Sequence, residues 1–261
     1  MRGTSKHLVR FIRIPLIIIT VVAVTITVMN PGWILNDLPE KNFLQLMMVK
    51  SLVSECDTAG DCTPLEEPVD VEISTASGML ISSTGEYSYI LTANHFCHRE
   101  EYFYGSYISS DIDEFEIEIW AFDFSGSASS VTPVYVDNSS DLCLLSAKRK
   151  EGVNMKIAKM MPKLGEKVFA IAAPKGIHQR GVALHFEGSF SGCGSDDICF
   201  FTLPATFGSS GSLILNAGGE VVGMIQMVPG NFDSVSMGVG AETIRLFLRD
   251  AENHLHHDLG I

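Results

Sequence analysis

A chain of 261 residues, 46% hydrophobic and 19% charged, can bury a substantial core and is too apolar to be disordered. Its net charge of −13 argues against duplex nucleic acid as a partner. The charge is uneven: residues 1–30 carry Arg2, Lys6, Arg10 and Arg13 and no acid, so all 31 acids lie further along.

Residues 1–13 form a basic N-terminal segment. From Ile14 to Met29 sixteen residues pass without a charge. With Trp33 placed at the interface, the stretch 14–35 is just long enough to span a bilayer as a helix. The basic flank predicts a cytoplasmic N-terminus and an extracytoplasmic (periplasmic) body. Two readings stand, an uncleaved signal-anchor and a cleaved signal peptide that would release the body. The small-residue sites Ala23 to Thr25 and Thr25 to Thr27 lie inside the apolar run, which favours the anchor.

Residues 36–67 read as a membrane-proximal helix, with Phe43, Leu44, Met47, Met48 and Val53 at partly helical spacing, followed by a polar linker. From residue 68 the texture becomes short strands and glycine-rich turns. Strands are expected at 69–74, 78–83, 88–93, 115–122, 131–136, 142–147, 167–173, 182–190, 198–203, 212–216 and 220–228. That spacing points to an all-β sandwich or a pair of barrels. One helix is expected over 242–255, with Ile244, Leu246, Phe247 and Leu248 on its apolar face, and residues 251–261 close the chain as a tail.

Six cysteines in an exported body suggest disulfides. Cys56–Cys62 and Cys193–Cys199 would each close a short polar loop, which leaves Cys97 for Cys143. No metal or cofactor is expected. His95, Cys97 and His98 lack a second ligand pair, the histidines of 254–257 read as a solvated tail, and the acids of 111–118 alternate as a strand.

Three local patterns carry the chemistry. An apolar strand runs into Thr92-Ala93-Asn94-His95-Phe96-Cys97. Asp141-Leu142-Cys143-Leu144-Leu145 begins another strand. Gly208-Ser209-Ser210-Gly211-Ser212 opens a third. A nucleophilic serine needs a base, an acid to orient that base, and N–H donors for the developing oxyanion. The three segments in this order supply all of them.

Together they resemble the trypsin-like (chymotrypsin-fold) serine peptidases, and look most like compact bacterial and viral members and the protease domain of the HtrA/Deg group. The stretches 77–92, 219–225 and 238–248 agree, and the resemblance covers about residues 68–250. It implies two six-stranded antiparallel β-barrels with a C-terminal helix. It also implies a serine endopeptidase acting on protein or peptide through an acyl-enzyme, which the apolar run 14–35, outside the resemblance, would tether to the membrane. His95 would be general base and then acid. Asp141 would orient it, and Ser210 would attack. The N–H groups of Gly208 and Ser210 would form an oxyanion hole, contributing roughly 3–4 kcal/mol per donor. Ser209, Ser212 and Leu213 depart from the commoner Asp or Asn, Gly and Pro of the family. The alternative is an inactive peptidase fold that serves as a binding module. The resemblance places Pro204 and Ala205 on one wall of the substrate pocket and Gln226, Met227 and Val228 on the other. With Pro204 where basic-specific members hold an acid, and Ile225 where glutamate-specific members hold a histidine, an aliphatic P1 residue is expected.

Overall fold

The computed structural model describes residues 40–56, 61–97, 114–148, 152–230, 232–256 and 259–260. The expected spanning segment 14–35 lies outside them. Among the described residues no helix is long and apolar enough to cross a membrane.

Alternating apolar residues build two closed six-stranded barrels. The first comprises β1 (Phe43–Cys56), β2 (Cys62–Thr84), β3 (Tyr87–Ala93), β4 (Glu114–Asp123), β5 (Ala128–Asp137) and β6 (Leu142–Lys148), in the order β1-β2-β3-β6-β5-β4. The second comprises β7 (Lys167–Ala172), β8 (Leu184–Cys193), β9 (Ile198–Phe201), β10 (Leu213–Asn216), β11 (Val221–Met227) and β12 (Ser236–Gly240), in the order β10-β11-β12-β9-β8-β7. A one-turn helix α1 (Asn94–Cys97) follows β3, and helix α2 (Ala241–Leu255) follows β12. Each barrel has its own core, built around Leu46, Leu80, Ile90 and Leu145 in the first and Val168, Phe201, Ile214 and Val222 in the second.

Of the expected helix over 36–55, residues 36–39 lie outside the described residues, Glu40–Asn42 form a single 3-10 turn, and the rest is a strand. β1 pairs antiparallel with both β2 and β4, Leu46 lying opposite Ala76 and Ala121. Leu44, Leu46 and Met48 bury at period two. The apolar neighbours Phe43 and Met47 lend the run its helical look, but closing the barrel requires a sixth strand and tertiary pairing overrides propensity. The first barrel therefore draws in residues that read as helix and linker along the chain. The expected strands 69–74 and 78–83 run together in β2. β12 has no counterpart among the expected strands, because its Gly238 and Gly240 read as loop. A Cβ at Gly238 would sit on the Met224 carbonyl, so the glycine permits close pairing of β12 with β11.

α2 matches the expected closing helix. It buries Ile244, Phe247, Leu248 and Ala251, while Leu246 faces out. Phe247 and His254 both pack on Tyr135 of β5, with ring centroids 5.2 and 5.3 Å apart. The helix thus binds the first barrel to the second. Disulfides join Cys97 to Cys143 and Cys193 to Cys199, as expected. Cys62 is disulfide-bonded and its cross-strand backbone neighbour is Cys56, whose side chain lies outside the described residues.

Candidate active site

β3 and β6 are antiparallel neighbours, with Ala93 opposite Leu142. The end of one strand therefore delivers His95 beside the start of the other, which delivers Asp141. The contact is bidentate. The His95 backbone N–H donates to Asp141 Oδ1 at 2.7 Å, and His95 Nδ1 lies 2.7 Å from Oδ2. The Cys97–Cys143 disulfide ties the same two elements.

Asp141 adopts φ 52°, a left-handed conformation that costs free energy and needs support. Its carbonyl accepts from Asn94 N–H at 3.0 Å and from Gln226 Nε2 at 2.9 Å. Gln226 Nε2 also donates to the Ser140 carbonyl at 2.6 Å. The turn before Asp141 is held by Asp137, which accepts from Ser139 N–H and Oγ through Oδ1 and from Ser140 Oγ through Oδ2. Partial burial pushes the Asp137 carboxyl up, but the Ser140 and Ser139 hydrogen bonds outweigh it and hold it below its ordinary 3.8. A depressed folded-state value means the ionised turn is stabilising above pH 3.8 and loses that contribution as pH falls further. Asp137→Asn keeps the Oδ1 acceptor and loses the charge. The variant should melt below wild type at about pH 6, and the gap should close by about pH 2.5. A gap of equal size at both pH values would contradict this account of the turn.

The third element is the turn at residues 208–212. Gly208 and Gly211 adopt φ 90° and 88°, which only glycine enters without strain. A Cβ on Gly208 would lie 2.5 Å from the Ala173 carbonyl oxygen and 2.9 Å from Lys175 N. The Phe207 carbonyl accepts from Lys175 N–H at 2.6 Å. Because a trans peptide points its C=O and N–H in opposite directions, this bond turns the Gly208 N–H away from Lys175. Among the described residues, neither the Gly208 nor the Ser210 N–H donates to a protein acceptor. Two N–H donors left unspent are what a developing oxyanion requires.

Ser210 Oγ donates to the Gln226 carbonyl at 3.2 Å, not to His95. Rotation about one bond changes the acceptor of a hydroxyl, and such contacts commonly tighten only when substrate is bound. Gln226 is therefore hydrogen-bonded to both the Ser210 and Asp141 segments.

The residues expected along the pocket separate. Ala205 is buried, Pro204 is exposed, and Met227 is 44% exposed. Val228 packs against the second core. Gln226 is buried, but its amide is spent on the Asp141 turn, so its side chain braces that turn instead of lining a pocket. Sequence patterns also pass over three contributors: Asn94, Lys175 with its left-handed backbone, and Ser77, bonded to the Gly208 carbonyl. Asn94 and Lys175 act through their backbone N–H groups and Ser77 through a hydroxyl bonded to backbone groups, and no residue-type signature marks such contacts.

The sequence pattern of the trypsin-like peptidase domain matches residues 76–224. Comparison with curated protein sequences returns no match. Among solved structures, the chain is similar to the serine endoprotease from Yersinia pestis, with TM-score 0.58 and 16% identity, over 85% of this chain and 66% of that one. It is also similar to the active form of a protease from M. tuberculosis, with TM-score 0.57 and 13% identity, over 84% of this chain and 86% of that one.

Proposed function

The chain belongs to the trypsin-like peptidase family, and from that premise we propose that it is a serine endopeptidase held at the membrane by residues 14–35. His95 takes the proton from Ser210 Oγ as the oxygen attacks the scissile carbonyl. The tetrahedral oxyanion is received by the Gly208 and Ser210 N–H groups. His95 then returns the proton to the leaving amine, and water hydrolyses the acyl-enzyme by the same route. Asp141 holds the imidazole with its Nδ1 protonated, so that Nε2 is the free base. Ala205 and the backbone of residues 226–228, at the end of β11, border the acyl half of the substrate.

One observation carries this reading: the bidentate His95–Asp141 pair is bonded through Gln226 to a serine turn that presents two unspent N–H donors. The Ser210–Gln226 hydrogen bond favours a second reading, in which the serine never engages His95 and the fold only binds. A fluorophosphonate probe separates the two. Membranes from cells expressing the full chain should show one labelled band, absent from Ser210→Ala. Equal labelling of Ser210→Ala, or no labelling of wild type, would overturn the enzyme reading. A labelled band of lower mass in the soluble fraction would instead remove the anchor.

A further inference from the structure

Ser77 lies on β2 of the first barrel and is fully buried, yet its N–H and its hydroxyl are both spent on the second barrel. Its backbone N–H donates to the Ser210 carbonyl at 2.9 Å. Its Oγ donates to the Gly208 carbonyl at 2.8 Å and accepts from Ala173 N–H at 2.9 Å. Its own carbonyl accepts from Thr92 Oγ1 at 2.8 Å, three residues ahead of His95. Ser77 thus grips the carbonyls of the two residues whose N–H groups are unspent.

We propose that Ser77 is a positioning residue that holds the peptides following Gly208 and Ser210, and through them the flanking peptides that carry the two oxyanion donors, so that its hydroxyl acts on transition-state stabilisation and not on substrate affinity. This rests on the serine peptidase reading above. Glycine at 208 permits the observed backbone but does not enforce it, since glycine enters many φ/ψ regions at similar cost. External hydrogen bonds must choose the orientation. The peptide between Phe207 and Gly208 is pinned by Lys175 N–H, and the peptide between Gly208 and Ser209 by Ser77 Oγ and by Ser209 N–H donating to Thr206. The Ser77 hydroxyl couples these supports, because the Ala173 N–H it accepts opens the short turn that presents Lys175. Without it, Ala173 N–H and the Gly208 carbonyl are both buried and unpaired. Rotation of the Gly208–Ser209 peptide is then the cheapest way to satisfy them. That rotation changes ψ of Gly208 and φ of Ser209 and breaks the Ser209–Thr206 bond, so the flanking peptides that carry the two donors lose their support while the His95–Asp141 pair stays intact.

The test measures kcat, KM and affinity for a peptide boronate, whose tetrahedral adduct on the serine imitates the intermediate, in the full chain and its variants. For Ser77→Ala, kcat should fall about 30-fold, somewhat less than loss of a whole oxyanion donor. KM should stay within about threefold, and boronate affinity should fall by the factor lost in kcat/KM. Ser77→Thr, which keeps the hydroxyl, should recover most of the rate. If Ser77→Ala does not fold, Ser77→Cys keeps the volume, offers only a weak donor, and should show the same loss. A folded Ser77→Ala with unchanged kcat, or with a loss confined to KM, would overturn the proposal while leaving the peptidase reading in place. Wild type that neither turns over peptides nor binds the boronate would overturn both.

Discussion

Asp141→Asn should lower kcat by about 10⁴-fold with little change in KM, through the imidazole tautomer and not through lost geometry. The bidentate contact makes the outcome specific. The His95 backbone N–H can only donate, so the amide oxygen of the substituted side chain must occupy the Oδ1 site facing it. The amide nitrogen then faces His95 Nδ1, where Oδ2 stood. An NH₂ there can only donate, so Nδ1 must be the acceptor and the ring proton moves to Nε2. A ring protonated on Nε2 cannot take the Ser210 proton. Nitrogen-15 NMR of the His95 ring reports the tautomer directly, and peptide hydrolysis reports the rate. A variant within tenfold of wild type would remove Asp141 from the mechanism. Lost activity with the tautomer unchanged would mean that the amide had disrupted the turn instead.

The parts of this site that can be read along the chain are those whose chemistry lies in a contiguous run. His95 follows an apolar strand, Asp141 precedes one, and Ser210 sits between glycines; each alone would be an ordinary residue, and it is the three segments in that order that point to the chemistry. The barrels are legible for a related reason: alternation over five or six residues is a local signal. Reading fails where the decisive contact is with a backbone group distant in sequence. β1 resembles a helix until β2 and β4 are present on either side of it. Ser77 is an unremarkable serine before a glycine, and its role appears only when the turns at 173–176 and 208–212 close over it. Gln226 lies on the strand after the serine turn, but strand position does not tell which way a long amide turns. The carbonyls of Ser140 and Asp141, which need a donor, decide that.

Gly211→Ala should cost stability where Ser77→Ala costs rate, and the contrast checks how the two barrels are joined. A Cβ on Gly211 would come under 3.0 Å from the Ser77 carbonyl oxygen and from Thr92 Oγ1. Those two atoms form the buried hydrogen bond that links β2 to β3 just before His95. Neither can retreat, because Ser77 is held by its bonds to Ser210 and Gly208 and Thr92 lies in the paired core of the first barrel. The alanine must also hold φ 88°, at a further cost of about one or two kcal/mol. Overpacking a rigid site adds about 1–3 kcal/mol, so the sum is about 3–5 kcal/mol. For a body of this size that corresponds to a fall in Tm of about 10 °C or more. Gly211 N–H would keep its bond to the Ile225 carbonyl only if the whole turn moved off the first barrel. Variant protein that does fold should therefore lose fluorophosphonate labelling as well. Thermal unfolding of Gly211→Ala within about 2 °C of wild type would show that the serine turn is not wedged against Ser77 and Thr92 as described.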